Sequence, residues 1–200
     1  MRITAQAKAE TQERIVATAR QLFLSKGFDK TTIRDIAAEA QIGTGTLFNY
    51  FPNKEALAMF ILAQGLHDGA AVYHRRRRGT ESLAEDLFAY ILAGLRELKP
   101  ARHYIGEVIE SAFSPFAKHT RTSHGQQVRQ QHLETVIEII QNHVRNAEVT
   151  YITLHLYWIL YIGVLAFWSN DDSPNQEDTL VVLDQAMRLF SGSLKPATDV

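Results

Sequence analysis

The chain has 200 residues, 46% of them hydrophobic, with a net charge of −1 and no cysteine. That is enough apolar material for a core in one large or two small domains, and it argues against disorder, disulfide frameworks and thiolate metal sites. The first 25 residues carry charges throughout and hold no apolar signal core, so secretion is not indicated and a cytoplasmic location is expected.

Helical spacing dominates, and no alternating strand pattern of useful length is present, which predicts an all-α fold of about nine helices. Ile15, Ala19, Leu22 and Phe23 share one face of a first helix that ends near Gly27. Ile33, Ile36, Ala37 and Ala40 repeat the pattern in a second, which Thr32 and Asp35 open as a capping box. Gln41-Ile42-Gly43 forms a turn, with Ile42 plugging the core. A third helix covers about Thr44–Phe51, with Leu47 and Phe51 facing inward. Asn53 caps a fourth that runs to about His74, and Arg75–Arg78 followed by Gly79 marks its end. Ser82 and Glu85 form the capping box of a fifth helix reaching about Leu98, and Pro100 starts a sixth ending near Phe113. Residues 114–126 read as a polar loop. Three further helices are expected over about 127–146, 150–169 and 176–191.

The third helix is short and polar where an ordinary surface helix would carry a continuous apolar stripe. Gly43 and Gly45 remove side-chain bulk, and a glycine inside a helix costs about 1 kcal/mol relative to alanine, which suits a close approach to a partner. Thr44, Thr46 and Asn49 offer groups able to read base edges, and Tyr50 has a hydroxyl for a phosphate. Lys54 opens a helix, where its ammonium and the free backbone N–H groups both suit phosphate. Residues 1–54 hold eight basic and five acidic side chains, a net of +3, whereas the remainder holds thirteen and seventeen, a net of −4. An anionic partner for the N-terminal part follows, with DNA the leading candidate. Spacing alone does not separate this reading from a helical hairpin with ordinary turn residues.

The segment TTIRDIAAEAQIGTGTLFNYFPNKEAL resembles the helix-turn-helix of the TetR (tetracycline-repressor-like) family of transcriptional regulators. The likeness covers about residues 11–60, and the rest matches in helix number and length. It implies a DNA-binding domain over 1–54, with the motif at about 32–51, and a ligand-binding and dimerisation domain over 55–200. It places the third helix in the major groove, as in helix-turn-helix proteins generally. By motif position, Thr32 meets a phosphate, Thr44, Gly45, Thr46 and Asn49 lie along the groove, and Tyr50 and Lys54 meet phosphates. Arg34 either reaches the DNA backbone or is a solvated helix charge. Phe48 stands where the family often has tyrosine, and Thr44 where it often has lysine, which puts the operator sequence in doubt but not the general role.

Residues 149–168 hold sixteen apolar residues in twenty. That length could span a bilayer, so a membrane-anchored helical protein is the alternative reading. Basic flanks are absent, however, Asp171 and Asp172 follow at once, and His155 would be costly in lipid. A buried helix apolar all round needs cover on every side, and a second subunit can supply part of it. In the next helix Leu180, Leu183, Met187, Phe190 and Leu194 form a seam suited to helix pairing. The resemblance implies a four-helix homodimer interface through Leu156, Leu160, Gly163 and Phe167 together with Leu180, Leu183, Met187 and Phe190. It also implies a central pocket for a small effector near Tyr90, His103, Tyr104, Val108, Phe113, Phe116 and Trp158, although aromatics at helical spacing are also ordinary core. No cofactor is implied. His119, His124, His132 and His143 lack ligand spacing, so no metal site is expected. No nucleophile motif, phosphate loop or paired-carboxylate arrangement suggests an enzyme. The expected protein is a repressor released from a palindromic double-stranded DNA operator by a small apolar or aromatic effector, with no membrane partner.

Overall fold

The computed structural model describes residues 4–113, 123–144 and 148–194, with the side chains of 110–113 and 123–124 outside that description. Among the described residues the structure is all-helical: α1 (Ala5–Lys26), α2 (Ile33–Glu39), α3 (Thr44–Phe48), α4 (Lys54–Arg76), α5 (Leu83–Leu98), α6 (Arg102–Phe113), α7 (Ser123–His143), α8 (Tyr151–Asn170) and α9 (Glu177–Ser193). Contacts sort the chain into two compact units, Met1–Gln64 with His103–Gly125, and Gly65–Arg102 with Gln126–Val200. The first unit thus runs from the N-terminal helices into α4 as far as Gln64, and α6 supplies core to it.

Local chemistry explains most boundaries. The Thr32 hydroxyl accepts from Asp35 N, while Asp35 Oδ2 accepts from Thr32 N at 2.8 Å, so both halves of the α2 capping box form. Ser82 and Glu85 do the same for α5, and Asn53 Oδ1 accepts from Ala56 N at the start of α4. Gly27 and Gly79 take φ of +88° and +78°, which stops α1 and ends the turn after α4 at little steric cost. Two boundaries differ from expectation. Helix α3 spans only five residues, because Asn49 and Tyr50 close i→i+3 turns onto Thr46 and Leu47. Helix α7 starts at Ser123, so the expected loop is helical at its end, and its residues up to 122 lie outside the described set.

In the first unit the core gathers Ile15, Ala19, Phe23, Ile36, Leu47, Phe51 and Leu57, each 2% exposed or less. Tyr104 of α6 stacks on Phe28 at 5.9 Å and tilts against Phe23 at 5.2 Å. Thr31, fully buried, donates its hydroxyl to Gly27 O at 2.6 Å and fastens the turn between α1 and α2.

In the second unit α5 and α8 pack against α9. The end of α8 is held by Asp171, which accepts from Ser173 N and from both the amide and the hydroxyl of Thr179. Those bonds hold its carboxyl well below the usual carboxylate range. Helices α4 and α5 touch backbone to backbone: a Cβ on Gly69 would stand 2.7 Å from Gly94 Cα and 2.8 Å from Gly94 N. Gly69→Ala is expected to cost about 1–3 kcal/mol, because backbone cannot yield as a side chain does. Thermal unfolding should register it as a fall of about 2–12 °C. Gly65→Ala should cost less, since its Cβ would meet the flexible end of Leu98 at 3.0 Å.

Candidate nucleic-acid interface

Helix α3 is anchored by one residue and otherwise turned outward. Leu47 is fully buried and Phe51 is 2% exposed, the inward pair expected from their spacing. Arg34, Gly45, Thr46 and Asn49 are exposed, while Thr44 and Tyr50 are half-buried. The turn that sets this orientation puts Gln41, rather than Gly43, in the left-handed region at φ +55°. Gly43 instead serves as extended N-cap of α3, and Ile42 is half-buried.

Two of the expected contacts are engaged within the unit. Lys54 Nζ donates to Phe28 O at 2.7 Å and sits 4.0 Å over the Phe28 ring. Thr32 spends its hydroxyl and amide on Asp35, whose carboxyl is drawn down to about 2 by the Lys26 ammonium at 2.6 Å and by Thr32. Thr32 would reach a phosphate through its hydroxyl only by giving up its bond to Asp35, whereas the Lys54 ammonium has two further donors beside the one given to Phe28 O. Phe48, read from sequence only as a missing phenol, is 51% exposed on this surface. Its outward ring offers apolar area of the kind that meets a thymine methyl.

The expected effector residues are distributed over both units. Tyr104 and Val108 are buried in the first unit and His103 is exposed, whereas Tyr90 and Trp158 belong to the second. Phe116 and the side chain of Phe113 lie outside the described residues. The second unit instead builds a cluster around His132, which sequence reading had weighed only as a metal ligand. Its Nδ1 lies 3.1 Å from the Tyr90 hydroxyl and its Nε2 2.9 Å from that of Tyr157, and its ring stacks on Tyr161 at 4.2 Å. Burial drives the His132 imidazole down to about 3 and raises the Tyr90 phenol to about 12, so the cluster is neutral. A second buried centre is Asp86, which accepts from Tyr73 Oη at 2.7 Å and lies 2.8 Å from His143 Nε2. Arg77 Nε is 3.2 Å from Asp86 but not aimed at it, so that contact is electrostatic without a directed hydrogen bond. Burial, then the Asp86 contact, push the Tyr73 phenol far up.

The expected pairing surface also changes. Leu183, Met187 and Phe190 are fully buried within the chain itself, because α9 turns that seam inward, so they are not open to a second subunit. Leu156, Phe167 and Leu180 are exposed, as is Gly163, while Leu160 is half-buried. Ile152, Ile159, Val181 and Leu189, not singled out from sequence, are exposed at 78%, 56%, 55% and 71%. Ile152, Leu156, Ile159, Gly163 and Phe167 follow helical spacing along one side of α8.

Two family models match. Residues 15–59 match the bacterial regulatory proteins of the tetR family, and residues 87–197, more than half of the chain, match the tetracyclin repressor-like C-terminal domain. The chain belongs to the TetR family. Among its relatives are two uncharacterized HTH-type transcriptional regulators of Bacillus subtilis. YuxN is 42% identical over 53 residues, 26% of this chain and 18% of YuxN. YvkB is 33% identical over 84 residues, 41% of this chain and 40% of YvkB. The chain thus matches less than half the length of these curated relatives. The fold agrees with the Thermus thermophilus FadR, a TetR family transcriptional repressor in complex with lauroyl-CoA, at TM-score 0.70 and 21% identity, covering 94% of this chain and 98% of that one. A TetR regulator from Rhodococcus sp. RHA1 agrees at TM-score 0.68 and 18% identity, covering 94% and 99%. Helix α8 is long and apolar enough to cross a membrane. It nevertheless falls inside the matched C-terminal regulatory domain and buries Tyr157, Trp158, Tyr161 and Trp168 in the core, so the anchor alternative loses its basis.

Proposed function

We propose that the protein is a DNA-binding transcriptional repressor, not an enzyme, acting as a cytoplasmic homodimer without membrane attachment. Residues 1–54 read the operator, and residues 55–200 hold the effector and the second subunit. The observation that carries the reading is α3 itself: a short helix pinned by Leu47 that turns Gly45, Thr46, Phe48 and Asn49 outward. Small and polar groups on a helix held this way fit a major groove, with Arg34 and Tyr50 placed for phosphates. The exposed apolar side of α8, with Val181 and Leu189 on α9, supports pairing with a second copy. Two-fold pairing sets two reading helices about 34–36 Å apart and calls for a palindromic site. The FadR complex with lauroyl-CoA supports a small-molecule effector, which we assign to the C-terminal domain. Such a ligand releases DNA only if it binds the non-reading arrangement more tightly, and DNA then weakens the ligand by the same factor.

A gel shift at fixed salt against DNA upstream of the chain's own gene tests this. Binding at least about 10³-fold tighter than to random duplex is expected. Equal affinity for the two would overturn the reading.

A further inference from the structure

A guanidinium nitrogen buried without an acceptor forgoes the hydrogen bond that water would otherwise supply. Arg129 on α7 is in this position: its Nε is buried and has no hydrogen-bond partner among the described residues. No ion pair within that set involves it. The guanidinium lies over the Trp158 ring, 5.0 Å from its centroid. One turn along the same face of α7 stands His132, edge-on to Trp158 at 6.0 Å and stacked on Tyr161. The hydrogen-bonding capacity of His132 is already taken by Tyr90 and Tyr157. The cluster is therefore an aromatic wall edged by one permanent cation whose Nε lacks a hydrogen-bond partner among the described residues.

Three ligand chemistries can be set against this arrangement. A cation would compete with Arg129 for the Trp158 face and be repelled by it. A neutral apolar molecule would bury the guanidinium further and leave Nε unmatched. An oxyanion answers both needs, because the guanidinium edge matches two acceptor oxygens and gains from charge-assisted bonds. We propose that the effector is an apolar or aromatic acid whose carboxylate, or equivalent oxyanion, is read by Arg129 while its body lies against the Trp158 and Tyr161 rings. The inference rests on the proposed effector role of the C-terminal domain and deepens it.

Octanoate, laurate, phenylacetate and 2-naphthoate, each against its primary amide, serve as probes on the full chain, Arg129→Gln and Arg129→Lys. Thermal shift and release of operator DNA are the readouts. At least one acid is expected to act at a concentration about tenfold lower than its amide, the worth of one charge-assisted hydrogen bond. Arg129→Gln should erase that preference and Arg129→Lys keep part of it. Without ligand, Arg129→Gln should melt no lower than the parent chain, since it removes an unmet donor. A clear fall in its melting temperature assigns Arg129 to the fold and overturns the proposal. So does a preference that survives Arg129→Gln, an amide as effective as its acid, or no acid effect on a chain that binds its operator. An effective amide leaves the effector reading standing. Failure of the ligand-free chain to bind its operator removes the regulator reading itself, whatever the probes do.

Discussion

Stability should fall by about 1.4 kcal/mol for each pH unit below 6.5 through His132 alone, or about 3 kcal/mol between pH 6.5 and 4. The imidazole is buried and its folded value is lowered from 6.5 to about 3. In that window the unfolded chain binds a proton that the native chain refuses. The contribution is therefore complete above 6.5, shrinks as pH falls, and is gone near 3. The surrounding phenols of Tyr90, Tyr157 and Tyr161 are all raised and stay neutral throughout. Asp35, at about 2, and Asp171, lower still, keep their stabilising contributions until the pH passes below the ordinary carboxylate range, so they do not confuse this window. Urea unfolding of the parent chain and of His132→Gln at pH 7, 6, 5 and 4 measures the difference. The glutamine amide keeps a donor and an acceptor for the two tyrosines but cannot titrate, so its stability should fall less steeply by that amount per unit. Parallel curves for the two proteins would show that His132 is not the group responsible.

The helical framework was legible because its signals are local. Thr32 with Asp35 and Ser82 with Glu85 are capping boxes whose partners lie three residues apart, and both form. Leu47 and Phe51, both apolar and four residues apart, share one side, and that side is buried. Burial by partners distant in sequence was not legible. Leu183, Met187 and Phe190 form an apolar seam on α9, but periodicity cannot say whether the chain or a second copy covers it, and the chain does. His132 looked like one of several scattered histidines. Its role comes from Tyr90 and Tyr157, which are 42 and 25 residues away. Lys54 at a helix start suits phosphate on local grounds, yet Phe28, 26 residues earlier, holds its ammonium. At the reading surface the residue types were legible, while their exposure, and the outward ring of Phe48, depended on how Leu47 seats α3.

That seating makes Gly45→Ala the substitution expected to separate DNA binding from folding most widely. A Cβ at Gly45 meets nothing within 4 Å in the free protein, and the residue has no left-handed backbone to lose. Alanine is the better helix former by about 1 kcal/mol, so the unbound chain should keep or gain stability. On the operator the same methyl stands where the helix would approach the groove, and forcing it into a closely packed contact costs about 1–3 kcal/mol. A dimer meets that cost at both reading helices, so operator affinity should fall by about 30-fold or more, with random-sequence affinity much less affected because phosphate contacts dominate there. Gel shifts at two salt concentrations, paired with thermal melts, give both halves of the result. Loss of affinity together with a lowered melting temperature would point to a disturbed helix rather than a blocked groove. Full operator affinity in a stable Gly45→Ala protein would show that the start of α3 does not come close to DNA, and specificity would then rest on Thr46, Phe48 and Asn49. Thr46→Ala and Asn49→Ala are the next discriminating changes, because losing a base-edge contact relaxes preference at one position of the site by about 1–3 kcal/mol while leaving the salt dependence in place.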